Sequence, residues 1–397
     1  MKKYKYLIIG SGMTGDAAVR GIRELDPNGS IGMIGNETDL PYSRPPLSKG
    51  LWKGSPFEKV WLGTDKLNIE LQLGRQITEL NPASKSLRDN HGDEYIYEKL
   101  LFATGGSPAR LPFGDNEIIY YRRLQDYQRL RALAEQGQQF LVIGAGFIGS
   151  EIAASLNTFG KHVTMVFRDK SIGENVYPLE LSQFLNNYYH QKGVDLMPSD
   201  EVTSLEKNGN RFTVQTRGGR EFQVDGVVAG LGVRPNLELA KSAGLKVESG
   251  IIVDNRQRTS VTDVYAAGDV AMFPHKTLGK LTRVEHEDNA LKMGKQAGRN
   301  MAGADEAYTH TPFFYSDLFE LGYEAVGELS SKLETFADWQ EPFKKGVVYY
   351  LEGGRVRGVL LWNVWKKINE ATALMDEAGP FKAEDLIGRI KFEEPVA

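Results

Sequence analysis

Two stretches of this chain carry the same succession of hydrophobic and polar positions. Tyr6-Leu7-Ile8-Ile9 and Phe140-Leu141-Val142-Ile143 are short unbroken apolar runs, as expected of strands buried on both faces of a parallel sheet. Each runs into glycines spaced GxGxxG: Gly10-Ser11-Gly12-Met13-Thr14-Gly15 and Gly144-Ala145-Gly146-Phe147-Ile148-Gly149. An alanine-rich stretch of helical character follows each turn. The pattern predicts strand 4–9, helix 17–25 and strand 30–34 for the first unit. For the second it predicts a strand from Phe140, helix 150–159 and strand 162–167.

Elsewhere the pattern changes. Residues 40–62 are irregular and rich in proline and aromatic side chains, which suits a loop that wraps a ligand. Leu100-Leu101-Phe102-Ala103-Thr104-Gly105-Gly106 reads as a buried strand ending in a glycine turn, and 124–136 as a helix. Alternation predicts strands at 211–215 and 224–228, and Val264-Tyr265-Ala266-Ala267 reads as a strand leading into Gly268-Asp269. Ala290, Met293, Ala297 and Met301 recur at spacings of three and four, so a helix is expected to begin at Glu285-His286. From residue 307 onward the texture is that of a separate α+β module. There 347–351 and 356–361 alternate as strands around a hairpin loop, Glu352-Gly353-Gly354-Arg355, and Trp339, Trp362 and Trp365 fall in the same segment.

Composition narrows the possibilities. A chain of 397 residues exceeds one core, so two or three domains are expected. Lys and Arg total 48 against 52 Asp and Glu, and the net charge of −4 gives no electrostatic reason to expect nucleic acid. There is no cysteine, which excludes a disulfide framework, a thiolate metal site and any relay of electrons through a dithiol. The histidines do not cluster, so no metal site is expected. No apolar run approaches the ~20 residues needed to span a bilayer. Met1-Lys2-Lys3 leads straight into the first strand, so we expect no targeting leader and a cytoplasmic protein.

The chemistry of the glycine turns is specific. The first glycine makes the tight turn, the second lets backbone approach a pyrophosphate, and the third lets the helix pack on the strand. The pyrophosphate then rests on the positive end of the helix. Two such turns imply two dinucleotides. An acidic residue about 20 positions beyond the fingerprint holds a ribose diol, and Glu37 and Asp169 occupy those positions. An acid there repels the 2′-phosphate of NADP, so the second site leans toward NADH. Its neighbour Arg168 could instead grip such a phosphate, and Asp169 taken alone is a solvated charge in an Asp-Lys turn.

Three motifs in this order resemble the pyridine-nucleotide oxidoreductase superfamily: the two fingerprints and the segment 259–269, which ends in Tyr265-Ala266-Ala267-Gly268-Asp269. Ala103-Thr104-Gly105 is similar to that superfamily's ATG turn, and Gly232-Val233-Arg234-Pro235-Asn236 to its GxxPN segment. Disulfide reductases of the superfamily carry cysteines after the first unit. This chain has Pro41-Tyr42-Ser43-Arg44-Pro45-Pro46-Leu47-Ser48-Lys49 there and so resembles the ferredoxin- and rubredoxin-reductase branch, while its continuation into Leu51-Trp52 is similar to the apoptosis-inducing-factor family. The segments Arg283-Val284-Glu285-His286 and Phe314-Tyr315-Ser316-Asp317-Leu318 are similar to the apoptosis-inducing-factor family. That family has a tryptophan where this chain has Tyr315.

The resemblance implies an α/β fold with two Rossmann-like dinucleotide-binding domains and a C-terminal α+β domain. The FAD domain is expected at 1–121 and 248–306, the NAD(H) domain at 122–247 and the third at 307–397. FAD is expected on Gly10, Gly12, Thr14, Gly15, Asn36, Glu37, Arg44, Ala103, Thr104, Gly105 and Asp269, with Asp269 on the ribityl chain. NADH is expected on Gly144, Gly146, Phe147, Ile148, Gly149, Asp169 and Gly232. The resemblance pairs Lys49 with Glu151 beside flavin N5. Read from the residues alone, Glu151 is an acid in the first turn of its helix, favoured there by the macrodipole. Phe147 either packs helix on strand or covers the flavin until nicotinamide displaces it. Arg44 either braces a pyrophosphate or is a solvated charge. Glu285 and His286 either present a helix N-terminus that favours an anionic reduced flavin or are surface groups, and Tyr315 is either core or a cover on the flavin's other face.

The function implied is an NADH-dependent FAD oxidoreductase. Hydride passes from nicotinamide C4 to flavin N5, and the electrons leave directly to a quinone, a ferredoxin- or rubredoxin-like carrier, or dioxygen. The alternatives are a ferredoxin or rubredoxin reductase of an oxygenase system, or a redox sensor with a long-lived NADH charge-transfer complex. A homodimer is the expected assembly.

Overall fold

The computed structural model describes residues 1–114 and 116–392, so residues 393–397 of the expected third domain lie outside the described residues. The chain forms two compact units. The first comprises 1–44, 56–107 and 234–312, and the second 45–55, 108–233 and 313–397.

In the first unit the apolar run becomes the strand Lys2–Ile9, flanked in parallel by Ile31–Gly35 and Glu94–Phe102. Glu70–Leu73 extends the sheet beyond Ile31–Gly35, and Val264–Ala266 pairs in parallel with Glu94–Phe102. The chain leaves the central strand to one side and returns on the other. The carboxyl ends of the central strands therefore frame one crevice, where an open α/β sheet binds its ligand. The helix Met13–Leu25 packs against Glu287–Met301 backbone to backbone. A Cβ on Gly298 would lie 2.0 Å from the Ala18 carbonyl oxygen, and one on Gly21 2.0 Å from that of Lys295.

In the second unit five parallel strands run in the order Val194–Pro198, His162–Phe167, Gln139–Ile143, Gly226–Ala229, Ile119–Tyr120. A three-stranded antiparallel sheet, 202–224, and a five-stranded antiparallel sheet, 313–362, complete the unit. The hairpin joining Lys345–Glu352 to Arg355–Trp362 turns on Gly353 and Gly354, both with positive φ, as a two-residue loop between twisted strands requires.

Three expectations need correction. Both fingerprint helices start inside the glycine turn, at Met13 and Phe147, rather than at 17 and 150. The carbonyl of the second glycine accepts the first helical bond, from the Asp16 N–H to Gly12 at 3.0 Å and from the Ser150 N–H to Gly146 at 2.9 Å. The run 224–228 is not one strand. It splits at Asp225, whose carboxylate accepts the backbone N–H groups of Gln138 and Gln139, into Glu221–Val224 and Gly226–Ala229 on different sheets. The helix expected from Glu285 starts at Glu287, with His286 as its N-cap.

Candidate functional site: two glycine nests

The two fingerprints divide their work among the three glycines in the same way. A Cβ on Gly10 would lie 2.1 Å from the Ala103 carbonyl oxygen, and one on Gly15 2.3 Å from that of Gly10. In the second unit a Cβ on Gly144 would lie 2.5 Å from the Gly230 oxygen, and one on Gly149 2.1 Å from that of Gly144. Gly10 and Gly144 also have φ of +118° and +99°. These four glycines are required by the protein's own packing. The middle ones are not. A Cβ on Gly12 would meet only the Arg44 Nη2, at 3.9 Å, and one on Gly146 nothing within 4 Å. Both middle residues are also the N-caps of their helices, and a glycine has no side chain to satisfy the first amides. Open space beside unmatched N–H donors fits a pyrophosphate in each nest.

Around the first nest the strand ends deliver their expected residues together. Asn36 and Glu37 follow Ile31–Gly35, Ala103-Thr104-Gly105 follow Glu94–Phe102, and Gly268-Asp269 follow Val264–Ala266. The Gly268 turn presses on Thr14, since a Cβ there would come 2.2 Å from the Thr14 Oγ1. Arg44 is no solvated charge. It is largely buried, its Nη2 donates to Glu37 Oε1 and its Nη1 to the Tyr42 hydroxyl at 2.9 Å. Tyr42 in turn donates to Glu37 Oε2 at 2.6 Å. Glu37 thus orients the guanidinium that lies over Gly12.

Two anchors were not anticipated. Arg283 donates from Nη1 to the Asp269 carbonyl at 3.0 Å and to Glu285 at 2.7 Å, tying the Asp269 turn to the chain entering the last helix of this unit. Asn236 donates to the Thr104 carbonyl at 2.8 Å while its own carbonyl accepts from Thr104 Oγ1 at 3.2 Å, which clamps the ATG turn. Burial drives the His286 pKa down to about 4, against the pull of Asp269 and Asp288, so its imidazole is neutral at pH 7.

The second nest is open. Gly146, Phe147 and Ile148 are exposed, with Phe147 at 42% although it is a large apolar ring. Its centroid lies 5.3 Å from that of Phe314. Asp169 is exposed at the end of His162–Phe167, and Gly232, with φ of +85°, borders open space beyond Gly226–Ala229.

Glu151 lies in the second turn of Phe147–Thr158, not the first, because that helix starts inside the fingerprint. What holds it is a set of side chains. Lys49 Nζ donates at 2.7 Å, Ser48 Oγ at 2.6 Å and Ser316 Oγ at 2.6 Å to a carboxylate that is almost fully buried. The relay continues outward, since Ser316 is hydrogen-bonded to Tyr323, which accepts from Tyr177 at 2.9 Å. Burial pushes both phenols well above their ordinary pKa, so they serve as neutral donors. The short 3-10 turn bearing Ser48 is fixed by Ser155, which donates to the Ser48 carbonyl at 2.8 Å, and by Tyr121 and Trp52, which both donate to the Leu47 carbonyl. Tyr315 lies with its ring 5.3 Å from Lys49 Nζ, a cation–π contact rather than plain core.

Among the described residues no helix is long and apolar enough to cross a membrane. The profile of the family described as pyridine nucleotide-disulphide oxidoreductase matches residues 4–294, and that of the apoptosis-inducing factor C-terminal region matches 297–342 and 337–377. The chain is 34% identical to apoptosis-inducing factor 1, mitochondrial, of Dictyostelium discoideum, over 94% of this chain and 79% of that one. It is 33% identical to monodehydroascorbate reductase 3 of Arabidopsis thaliana, over 96% and 94%. The reductase in the crystal structure of the covalent putidaredoxin reductase–putidaredoxin complex superposes with a TM-score of 0.88 at 29% identity, covering 97% of this chain and 95% of that one.

Proposed function

The chain belongs to the pyridine nucleotide-disulphide oxidoreductase family, and on that premise we propose that its first nest holds FAD, its second receives NADH, and its electron acceptor is a one-electron iron–sulfur carrier. It is an FAD-dependent oxidoreductase that uses NAD(H) and passes electrons to an external acceptor. Bound FAD supplies a ring able to take a hydride from NADH and release its electrons onward. The family is named for a disulfide, but this chain has no cysteine. The electrons therefore leave without a dithiol relay. The observation that carries the reading is the pair of middle glycines, open in both nests while their neighbours are locked by packing.

The residues divide as follows. Arg44, held by Glu37 and Tyr42, neutralises a pyrophosphate on the first helix. Thr14, Thr104 and Asp269 line the same crevice. The neutral imidazole of His286 lets it meet a polar ligand edge without adding charge. In the second unit Phe147 offers a flat exposed face for a nicotinamide ring, and Asp169 a carboxylate for the ribose diol. Glu151, held by two hydroxyl donors, fixes the Lys49 ammonium in one direction.

Support for an iron–sulfur carrier comes from the putidaredoxin complex. The other acceptor classes to compare are quinones and dioxygen. The test is steady-state NADH oxidation with a [2Fe–2S] ferredoxin, a rubredoxin, a quinone or air as sole acceptor. The expected result is faster turnover with the carrier protein than with air. Equal rates with air and carrier contradict it. A second reading has its own support, the match of residues 297–377 to the apoptosis-inducing factor C-terminal region. A slow NADH sensor would keep a long-wavelength absorbance after acceptor is added and change mass with NADH. We also propose a cytoplasmic location and a homodimer. Light scattering of the oxidised and NADH-treated protein tests the assembly.

A further inference from the structure

At the ribose corner of the second nest the residues place two acids and two arginines together. Arg168 stands beside Asp169 at the end of His162–Phe167, where an arginine takes the 2′-phosphate of NADP. It does not stand free. Its Nε lies 2.5 Å from Glu201 Oε2, and the other oxygen of Glu201 pairs with Arg217 Nη2. The carboxylate is the fixed member of this trio. Its side chain is 16% exposed, against 78% for Arg168 and 74% for Arg217.

Backbone bonds lock Glu201 in register with the ribose position. Ser199 N–H donates to the Asp169 carbonyl at 3.0 Å, Asp200 N–H to that of Phe167 at 3.1 Å, and Arg217 N–H to that of Glu201 at 2.8 Å. Asp200 further accepts from the Gly218 and Glu201 amides at 2.9 and 2.8 Å. The loop carrying Glu201 is thereby stitched on both sides, and the two arginines lean on it.

We propose that Glu201 sets the nucleotide preference of this nest by holding Arg168 and Arg217 away from a 2′-phosphate, so that Asp169 reads the diol unopposed. The proposal rests on the reading that NADH is the reductant. A 2′-phosphate must compete with a carboxylate already engaged by both guanidinium groups. With Glu201 made neutral, two exposed cations become available to it, and charge-assisted contacts of this kind are the strong ones.

The experiment is calorimetric titration of the FAD-loaded protein with NAD⁺ and with NADP⁺, which bind without turnover. The wild type is expected to bind NAD⁺ at least about tenfold more tightly than NADP⁺. Glu201→Gln is expected to leave NAD⁺ binding within about twofold and to tighten NADP⁺ about tenfold, the scale of one or two exposed ion pairs. Adding both Arg168→Ala and Arg217→Ala to that variant should abolish the gain. Unchanged NADP⁺ binding in a folded Glu201→Gln protein overturns the role of Glu201 and leaves the NADH reading standing. A wild type that prefers NADP⁺ overturns both. Arg168→Ala alone, in the native background, gives an independent check. It should leave NAD⁺ binding unchanged, and a loss there would show that Arg168 serves the dinucleotide directly, against the proposal.

Discussion

The two nests share one backbone plan and differ in what surrounds it. In the first, Ser11, Gly12 and Met13 are half-buried, a guanidinium already covers the middle glycine, and Arg283 and Asn236 clamp the neighbouring turns. In the second, the equivalent residues Ala145 apart, the turn is exposed, and a bare phenylalanine ring waits at the helix start. The first arrangement suits a cofactor that stays. The second suits a reductant that comes and goes, since little of its surface is committed before binding. Under the proposed assignment the same fingerprint serves retention or exchange according to the side chains around it.

The sharpest way to break this contrast is to fill each middle glycine. The new Cβ of Gly146→Val meets nothing within 4 Å, and that of Gly12→Val only the Arg44 Nη2, at an ordinary van der Waals distance of 3.9 Å. Gly12→Val should yield a folded chain nearly devoid of FAD. Gly146→Val should keep full FAD and the wild-type melting temperature while NADH binding weakens about a hundredfold, close to 3 kcal/mol. Flavin absorbance per chain and calorimetry read both.

The next effect belongs to Glu151. Glu151→Ala strands the Lys49 ammonium and should cost about 3–5 kcal/mol in urea unfolding, the usual penalty for breaking a buried pair. Lys49→Met should cost less, because Ser48 and Ser316 still donate to the carboxylate. Equal losses would show that the hydroxyl donors carry no weight.

Acid sensitivity should separate the units. His286 titrates at about 4 when folded and near 6.5 when unfolded. Between those values the unfolded chain binds a proton that the folded chain refuses, so stability falls as pH drops from about 6.5 to about 4, by at most about 3 kcal/mol. His286→Gln should flatten that decline in a urea series across pH. A decline of unchanged slope assigns it elsewhere.

Smaller still, Arg44→Lys should weaken FAD about tenfold, since an ammonium cannot bond Glu37, Tyr42 and a phosphate in one plane. Phe147→Ala should leave stability within about 0.5 kcal/mol, as its ring is already exposed, and act only on NADH. A large stability loss would return Phe147 to a packing role.

Much of this organisation was legible in sequence because it is local. Strand, glycine turn and helix are contiguous, and Glu37 and Asp169 lie within the same supersecondary units. The helix 124–136 and the 353–354 hairpin followed from periodicity and turn chemistry alone. What escaped was assembled from distant segments. Ser48 and Ser316 reach Glu151 directly, and Tyr323 and Tyr177 through Ser316, from four separate elements that no spacing connects. Arg283 and Asn236 act through backbone carbonyls, which leave no trace in side-chain pattern. Asp225 broke an apparently continuous strand by accepting amides of a neighbour far along the chain, and the early helix starts moved Glu151 from the first turn to the second.

Anaerobic titration of the purified protein with NADH, followed through the visible flavin band, tests the two-nest account most directly. It predicts one FAD per chain, bleached by one equivalent of NADH. A folded chain that cannot be loaded with FAD, or a bound flavin that NADH leaves oxidised, contradicts it.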